Sequence, residues 1–402
     1  MGLFDFTGNE ASLYLHIPFC AGACGYCDFY SLDITGAPET GALLDPYADA
    51  LERDLERLPE HVLIPTVDIG GGNPSVLGGP RIGRLLSAIR RTALKHPAEI
   101  TVEANPESVN SAFLRACLDN DVTRISIGVQ TFHGPARSAA GRTGGDPGRG
   151  LALLQEHFSS GNRGFSIDLM TGLPLQGREV LARDIAQALS YRPDHISLYA
   201  LTLEGEARRG LLETALPDPD EADELWIRGR DGLRAAGYGQ YEASNFASAP
   251  DKRSRHNIRY WRMESWIGLG AAASSTLIDE DAGTGRRFTF PPDAAAYIQG
   301  APPEQEVIDR ASLLKESILM GFRYQEGPSQ TLFRRRFGAD IHSFIPRTLE
   351  AWQEKGLLYA EKPALTPGGM LFLNRFLRGA FAELDSSPGN DSLKRLHEAH
   401  KS

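Results

Sequence analysis

The feature that most constrains the fold is a sixfold alternation of short β-like runs with helical patterns between residues 11 and 236. Apolar residues that alternate or cluster predict strands, and apolar residues that recur every three to four positions predict helices. The predicted strands are residues 13–17, 67–69, 99–103, 124–129, 165–170 and 195–201, and the predicted helices are residues 46–58, 81–94, 109–118, 148–158, 179–189 and 221–236. Consecutive βα units predict parallel strands with right-handed crossovers. The fold class is therefore α/β: an incomplete (β/α)6 TIM-like barrel fits best, and a doubly wound sheet is the alternative.

The pattern changes after about residue 240, which predicts a second, smaller unit. We assign residues 1–240 to the partial barrel and residues 241–305 to a barrel extension and linker. Residues 306–385 read as a small, mostly helical, winged-helix-like domain, with helices near 310–321 and 344–355 and a short hairpin within 357–373. Residues 386–402 form a polar tail.

Three of the four cysteines crowd into a C-x3-C-x2-C motif, Cys20, Cys24 and Cys27, directly after the first predicted strand. Three thiolates on one short loop can hold three corners of a cuboidal iron–sulfur cluster and leave the fourth iron open. The alternative is a structural zinc site, which needs a fourth Cys or His. Cys117 is a poor candidate, because it shares a helical face with Phe113 and Leu114 and is predicted to be a core thiol.

Polar residues and glycines follow the predicted strands. Gly71, Gly72 and Asn73 come after the second strand, and Glu103, Gln130 and Asp168 lie at the ends of the third, fourth and fifth. In parallel α/β folds the carboxyl ends of the strands form the functional face. The sequence therefore predicts a single polar rim that includes the cysteine loop.

Charge and hydropathy predict a cytoplasmic protein that does not bind nucleic acid. The net charge is −10, and the tight basic run at residues 334–336 reads as a solvated helix face. We find neither a signal peptide nor an apolar stretch long enough for a membrane span.

Seven segments, in order, resemble radical-SAM proteins of the oxygen-independent coproporphyrinogen-oxidase superfamily. They are YLHIPFC, CGYCDF, GGGNPS, TVEANP, ISIGVQTF, IDLMTGLPLQ and HISLYALTLE, and the resemblance covers about residues 11–380. It implies a [4Fe–4S] cluster on the three cysteines, with S-adenosylmethionine on the open iron.

The resemblance also implies roles for the rim residues. Tyr14 and Tyr26 would flank S-adenosylmethionine, the backbone at Gly71 and Gly72 would approach its amino group, and Glu103 would accept hydrogen bonds from the ribose. Further contacts are expected from Asn73, where the family usually has Thr, and from Gln130, Arg142 and Asp168. Arg142 suits a carboxylate, although Thr143-Gly144 follows it where a His is common.

Two features resemble the heme chaperone branch more than the decarboxylating oxidases. The oxidases carry another Cys two residues after the third cluster Cys, where this chain has Phe29, and they have a longer segment before the cluster strand. The motif HNIRYW at residues 256–261 matches an HNxxYW element of that branch and makes His256 a candidate heme ligand, with Arg255, Arg259 and Arg262 near the propionates.

The resemblance implies that heme is bound and passed to respiratory acceptor proteins, with association at a membrane surface through those partners and homodimer formation as further expectations. The alternatives are oxidative decarboxylation of coproporphyrinogen III and another radical-SAM reaction. Whether the chain is an enzyme stays open at this point.

Overall fold

The computed structural model describes residues 6, 8–22, 24–36, 38–142, 144–159, 161–203, 211 and 216–386. Thr143 and the predicted polar tail beyond Ser386 lie outside this part of the chain.

The strands form one large mixed sheet and one small pair. In chain order they are β1 (Ser12–Ile17), β2 (Phe19–Cys20), β3 (Leu32–Asp33), β4 (Ile64–Gly71), β5 (Leu94–Ala104), β6 (Arg124–Gln130), β7 (Gly164–Thr171), β8 (His195–Ala200), β9 (Gly239–Gln240), β10 (Asn245–Ala247), β11 (Trp266–Leu269), β12 (Ser274–Asp279), β13 (Thr284–Thr289) and β14 (Glu304–Ile308).

The α-helices lie between and after these strands. They are α1 (Pro38–Gly41), α2 (Leu44–Leu55), α3 (Gly78–Arg90), α4 (Ser111–Asp119), α5 (Gly134–Ala139), α6 (Gly148–His157), α7 (Arg178–Ser190), α8 (Pro219–Ala235), α9 (Arg255–Trp261), α10 (Ala294–Ile298), α11 (Arg310–Gly321), α12 (Gln330–Phe337), α13 (Pro346–Glu354), α14 (Pro367–Met370) and α15 (Leu373–Ser386).

Strand order decides between the two predicted architectures. The strands β1, β4, β5, β6, β7 and β8 are parallel and adjacent in their chain order. A doubly wound sheet would reverse direction at a switch point, which this order does not do. The predicted partial TIM-like barrel is confirmed. Among the described residues, β14 and β9 end the large sheet and do not pair with each other, so the barrel is open.

The two faces of the barrel strands differ in chemistry, as β6 illustrates. Ile125, Ile127 and Val129 are fully buried and share a core with side chains of the surrounding helices. The alternate positions Arg124 and Ser126 are half-buried and face the inside of the barrel. We call this inner space the lumen.

Residues 241–305, predicted as an extension and linker, add β10–β14 to the same sheet. β11 lies parallel to β1, and β12, β13 and β14 follow in antiparallel order. A Cβ at Gly268 would lie 2.4 Å from the carbonyl oxygen of Ser274, so only glycine permits this close approach of β11 and β12. The segment therefore continues the sheet.

A second apolar core is formed by α11, α12, α13 and α15 together with Met263, Ile278 and Ile308 of the sheet extension. The predicted hairpin is reduced to one antiparallel bridge between Leu358 and Leu365, because Pro363 has no N–H for a ladder. The basic run is only partly solvated: the Arg336 side chain is 2% exposed and donates to the Glu280 carboxylate at 2.7 Å. In the described part of the chain, no helix combines the length and hydropathy needed to cross a membrane.

Candidate functional site

The cysteine loop is held at the carboxyl ends of β1 and β4. The Ile34 backbone N–H donates to the Cys20 carbonyl at 2.9 Å, and the Gly25 N–H donates to the Ala140 carbonyl at 3.1 Å. Gly22 has φ of +107°, which favours glycine, and its N–H donates to the Asp33 carboxylate at 3.1 Å. Two of these anchors lie at the end of β3 and the third follows α5, so the loop conformation is set by its surroundings.

The three thiols fit an iron–sulfur cluster by donor type and by surroundings. Cys20, Cys24 and Cys27 are free and half-buried. Burial raises the pKa of Cys20 to about 11, with contributions from the nearby thiols of Cys24 and Cys27. Metal binding displaces such thiol protons, so the loop can supply three thiolates to one group.

A structural zinc site would need a fourth Cys or His beside the three thiols. Cys117 is fully buried in the helix–sheet core, as predicted, and burial raises its pKa to about 12.

The glycine-rich turn after β4 lies against the cysteine loop. A Cβ on Gly72 would lie 3.0 Å from Cys20 Sγ and 2.8 Å from the Phe19 carbonyl oxygen. Gly71 has φ of +108°, and its N–H donates to the Glu103 carboxylate at 3.2 Å. The turn thus leaves a glycine-lined approach between the cluster thiols and Glu103.

Arg142 joins the cysteine loop to the ends of β5 and β6. Its guanidinium lies 3.9 Å from Cys24 Sγ and 3.4 Å from the Tyr26 hydroxyl. It also donates to the side-chain oxygen of Asn105 at 3.2 Å and to the Gly128 carbonyl. The structure therefore brings Arg142 and Tyr26 together beside the thiols.

Tyr14 is oriented by His16. The Nε2 of His16 lies 3.0 Å from the Tyr30 carbonyl oxygen, which can only accept, so Nε2 carries the proton. Nδ1 then accepts from the Tyr14 hydroxyl at 2.9 Å. Burial lowers the pKa of His16, which keeps this imidazole neutral.

Glu103 and Asp168 face each other across the upper lumen. Burial raises the pKa of Glu103 well above its ordinary value, and Asp68 and Asp168 add to the effect. Burial also raises the pKa of Asp168, although its carboxylate accepts from Ser126 Oγ at 3.1 Å. Several partly buried carboxyl groups that lie close together can bind ligand groups that donate hydrogen bonds or carry positive charge.

Gln130 and Asn73 take different positions in the site. Gln130 has φ of +68°, and its buried Oε1 has no hydrogen-bond partner among the described residues. Strain of this kind in a non-glycine residue is typical of functional sites. Asn73 is only 2% exposed, and its amide oxygen accepts from Ser75 Oγ and from the Asn105 N–H. Its side chain links the glycine-rich turn to the end of β5.

His256 is not brought to the rim. It lies on α9 at the opposite, amino-terminal end of the lumen, which we call the floor, and its side chain is 2% exposed. Nδ1 lies 2.9 Å from Thr66 Oγ1, which itself donates to Ser12, so Nδ1 carries the proton. Nε2 is buried without a partner in the described structure, and burial lowers the pKa of the imidazole to about 3.

Sequence reasoning missed several lumen residues. Asp68 interrupts an apolar strand, and that polar residue within TVDIG was a usable signal. Asn105, which accepts from Arg142, had no such signal because its role depends on where α5 ends.

Comparison with known proteins places these features in context. The profile of the Radical SAM superfamily matches residues 14–185. The chain is 35% identical over 378 residues to the heme chaperone HemW of Escherichia coli strain K12, covering 92% of this chain and 98% of that protein. It is 33% identical over 362 residues to the heme chaperone HemW of Lactococcus lactis, covering 87% of this chain and 91% of that protein.

Among solved structures, the chain is similar to coproporphyrinogen III oxidase (HemN) from Escherichia coli, described as a radical SAM enzyme. The TM-score is 0.78, with 94% of this chain and 91% of that chain covered. The sequence identity is 19%, so this likeness concerns the fold alone.

Proposed function

The chain belongs to the heme chaperone HemW family within the radical SAM superfamily, and we propose that it is itself a heme chaperone that holds a [4Fe–4S] cluster and S-adenosylmethionine. The observation that carries the cofactor part is the convergence of three free thiols, the glycine-rich turn and Arg142 at one rim. The heme part of the proposal rests on the relatives, which are heme chaperones.

Cys20, Cys24 and Cys27 would hold the cluster, which when bound would supply a site for the amino and carboxylate groups of S-adenosylmethionine and one electron for its sulfonium. A side chain at Gly71 or Gly72 would meet His16 or Cys20, so glycine keeps the turn close to the cysteine loop, where its backbone would approach the methionyl amino group. Arg142 would pair with the carboxylate.

The remaining rim residues would orient the nucleoside and methionyl groups. Glu103 would accept from the ribose hydroxyls, and Tyr14 and Tyr26 would flank the ligand. Gln130 offers its unpartnered amide oxygen, and Asp168 offers a carboxylate that its neighbouring serines hold in place. Asn73 would act by holding the turn in position.

Phe29 supports the chaperone role over the oxidase role. It lies two residues beyond Cys27, and its side chain is 68% exposed. An exposed aromatic ring offers no thiol, whereas the oxidases that the sequence resembles carry a cysteine at that position. Apolar exposure beside the cluster also suits contact with a porphyrin face.

His256 as the iron ligand stays a prediction. Its neutral Nδ1–H tautomer leaves Nε2 free, as metal ligation requires, but Nε2 is enclosed at the floor. Heme could reach it only if α9 moved. Arg255 and Arg259 are also engaged: Arg255 donates to the Pro97 carbonyl at 2.8 Å and Arg259 to Glu10 at 2.6 Å.

We further propose that the protein acts in the cytoplasm and passes heme to respiratory proteins, meeting a membrane surface through those partners. Homodimer formation belongs to the same proposal. Each of these statements rests on the family and on the sequence.

Anaerobically reconstituted full-length protein tests the function. Titration with heme should give a saturable Soret band, and incubation with coproporphyrinogen III, S-adenosylmethionine and a reductant should give no protoporphyrinogen. Turnover of coproporphyrinogen would overturn the chaperone proposal. The same titration with His256→Ala tests the ligand: an unchanged Soret band would exclude His256.

A further inference from the structure

The lumen directly below the rim holds more carboxylates than cations. Asp68 is half-buried on β4, in register with Tyr14 of β1 and Thr101 of β5. The titratable and charged groups that face Asp68 are Tyr14 on β1, Glu99 and Glu103 on β5, Arg124 on β6, Asp168 on β7 and Tyr260 on α9. Four carboxylates therefore share this space with one guanidinium.

Most of these groups already have partners. The Glu99 carboxylate accepts from the N–H groups of Arg255 and His256 at 3.0 and 2.9 Å. Arg124 donates to the Lys252 carbonyl at 3.2 Å, and Asp168 accepts from neighbouring serines. Asp68 accepts no hydrogen bond from any residue that the structure describes. Its carboxyl group is half-buried and has no donor within the described ranges, which leaves it to solvent or to a ligand.

Thr101 supplies an independent indication of a ligand. It lies between Asp68 and Arg124 in the strand register and is 3% exposed. Alternation along β5 puts it on the same face as Glu99 and Glu103, so it points into the lumen. Its Oγ1 is buried with no partner in the described structure. Buried hydroxyls are nearly always hydrogen-bonded, so this one is available to a ligand.

The lumen is open at the rim. Tyr199 lies two residues beyond Ser197, which is in register with Asp168, so its side chain is on the inner face. It is nevertheless 41% exposed. The inner face of the barrel is therefore accessible from the rim at β8.

We propose that Asp68 and Thr101 extend the cofactor site into the lumen, that Asp68 is a counter-charge for the sulfonium of S-adenosylmethionine, and that binding of this cation expels a proton from the lumen carboxylates. This inference rests on the proposed function. The proton passes to the solvent, and no bond of the ligand changes.

The direction of the effect follows from the charges. Burial raises the pKa of Asp68 to about 7, with Glu99 as the next cause, and raises that of Glu103 well above its ordinary value. Near neutral pH the pair therefore keeps at least one proton. A cation at the rim favours the ionised pair and lowers both pKa values, so protons leave on binding. Binding should accordingly weaken as the pH falls below about 7.

Isothermal titration calorimetry of the reconstituted full chain measures this proton release, using two buffers with different ionisation enthalpies near neutral pH. S-adenosylhomocysteine is the matched ligand, since it keeps the amino, carboxylate and nucleoside groups but has a neutral thioether. Protons exchanged because of the amino, carboxylate and nucleoside groups are common to both ligands, so they cancel when the two proton counts are subtracted. S-adenosylmethionine should release more protons than S-adenosylhomocysteine.

The variant Asp68→Asn should reduce that difference and lower the preference for S-adenosylmethionine about tenfold, equivalent to one pKa unit. Asp251→Asn, which removes an exposed carboxylate, should behave as the wild type. Thr101→Val should weaken binding severalfold while the proton count stays the same. Iron content and thermal midpoint establish that each variant is folded and loaded.

Equal proton release by both ligands in the wild type, or a difference in Asp68→Asn as large as in the wild type, would overturn the inference. If Asp68→Asn does not fold, the wild-type comparison of the two ligands still decides. Failure of the loaded wild type to bind S-adenosylmethionine at all would instead contradict the proposed function.

Discussion

The rim and the floor of the barrel use the same strands and similar residues in opposite ways. At the rim, Gly71 and Gln130 adopt positive φ, and Gln130 leaves a polar atom unpartnered among the described residues. At the floor, Glu99 accepts two backbone N–H groups of α9, and Arg259 donates to Ser12 at 2.7 Å. On the proposed function the rim is the end that would meet ligands, whereas the hydrogen bonds of the floor hold α9 to the barrel.

The strongest test of this contrast is Gly72→Ala at the rim. The new Cβ would lie 2.8 Å from the Phe19 carbonyl oxygen and 3.0 Å from Cys20 Sγ, so the cysteine loop must move. Overpacking of this kind costs about 1–3 kcal/mol, and we expect most of the reconstituted iron to be lost with little change in thermal midpoint. Gly83→Ala is the control, because its Cβ would meet Ala116 at 3.5 Å, an ordinary contact. Full iron content in Gly72→Ala would contradict the crowding argument.

The second test, Glu99→Ala, breaks the floor instead. It removes the acceptor for the Arg255 and His256 N–H groups, and hydrogen bonds to charged groups contribute about 1.5–3 kcal/mol each. Urea denaturation should show a loss of that order or more, while iron content stays at the wild-type value. Glu99→Gln keeps one acceptor oxygen, so its free energy of unfolding should lie between those of the wild type and Glu99→Ala. If Glu99→Ala lost iron as well as stability, the cofactor site at the rim would depend on the hydrogen bonds at the floor.

The third test uses pH. The folded pKa of His256 is lowered to about 3, so the unfolded chain binds a proton there first as the medium is acidified. The stability that His256 contributes is present above its ordinary pKa of 6.5 and is lost as the pH falls towards about 3. The slope for one proton is at most about 1.4 kcal/mol per pH unit. In denaturation curves between pH 7 and 4, His256→Gln should flatten this slope and the exposed control His342→Gln should not. If the wild type and His256→Gln had equal slopes, the His256 imidazole would be accessible to solvent in the folded protein.

The smallest expected effect belongs to Asp33, which holds the cysteine loop from outside. Its carboxylate accepts from the Gly22 N–H at 3.1 Å and from the Thr35 N–H at 2.8 Å. Asp33→Ala should speed the release of iron to a chelator severalfold, whereas Asp33→Asn, which keeps an acceptor, should release it more slowly than the alanine variant. Thr35→Val is the control, because it leaves the bond to Gly22 intact. Release at the wild-type rate from Asp33→Ala would show that the loop does not need this anchor.

Much of the barrel could be predicted because each βα unit carries its own periodicity. The strands β11 and β12 could not, since residues 268–275 are small and the strand character of these segments comes from pairing with β1 and with each other. The hairpin in the C-terminal domain was overpredicted because the sequence does not show how few bonds Pro363 would leave.

The candidate site divides in the same way. Cysteine spacing and strand ends indicated Cys20, Gly72 and Glu103, because those signals are local. Asp68 and Thr101 required the strand register, which decides which residues meet across the lumen. His256 shows the converse: the motif identified an unusual histidine, but only the docking of α9 reveals that it points inward.

The pairing of β11 with β1 has a practical consequence for dissecting the molecule. β1 carries the cysteine loop and lies inside the sheet, between β4 and β11. A chain truncated near residue 240 would strip one side of β1 and expose the hydrogen-bonding groups of Ser12–Ile17, a bare edge of the sort that promotes aggregation. Expression of the cluster-bearing half alone should therefore retain residues through at least β11. The sheet, rather than the change in sequence pattern, marks where the protein can be cut.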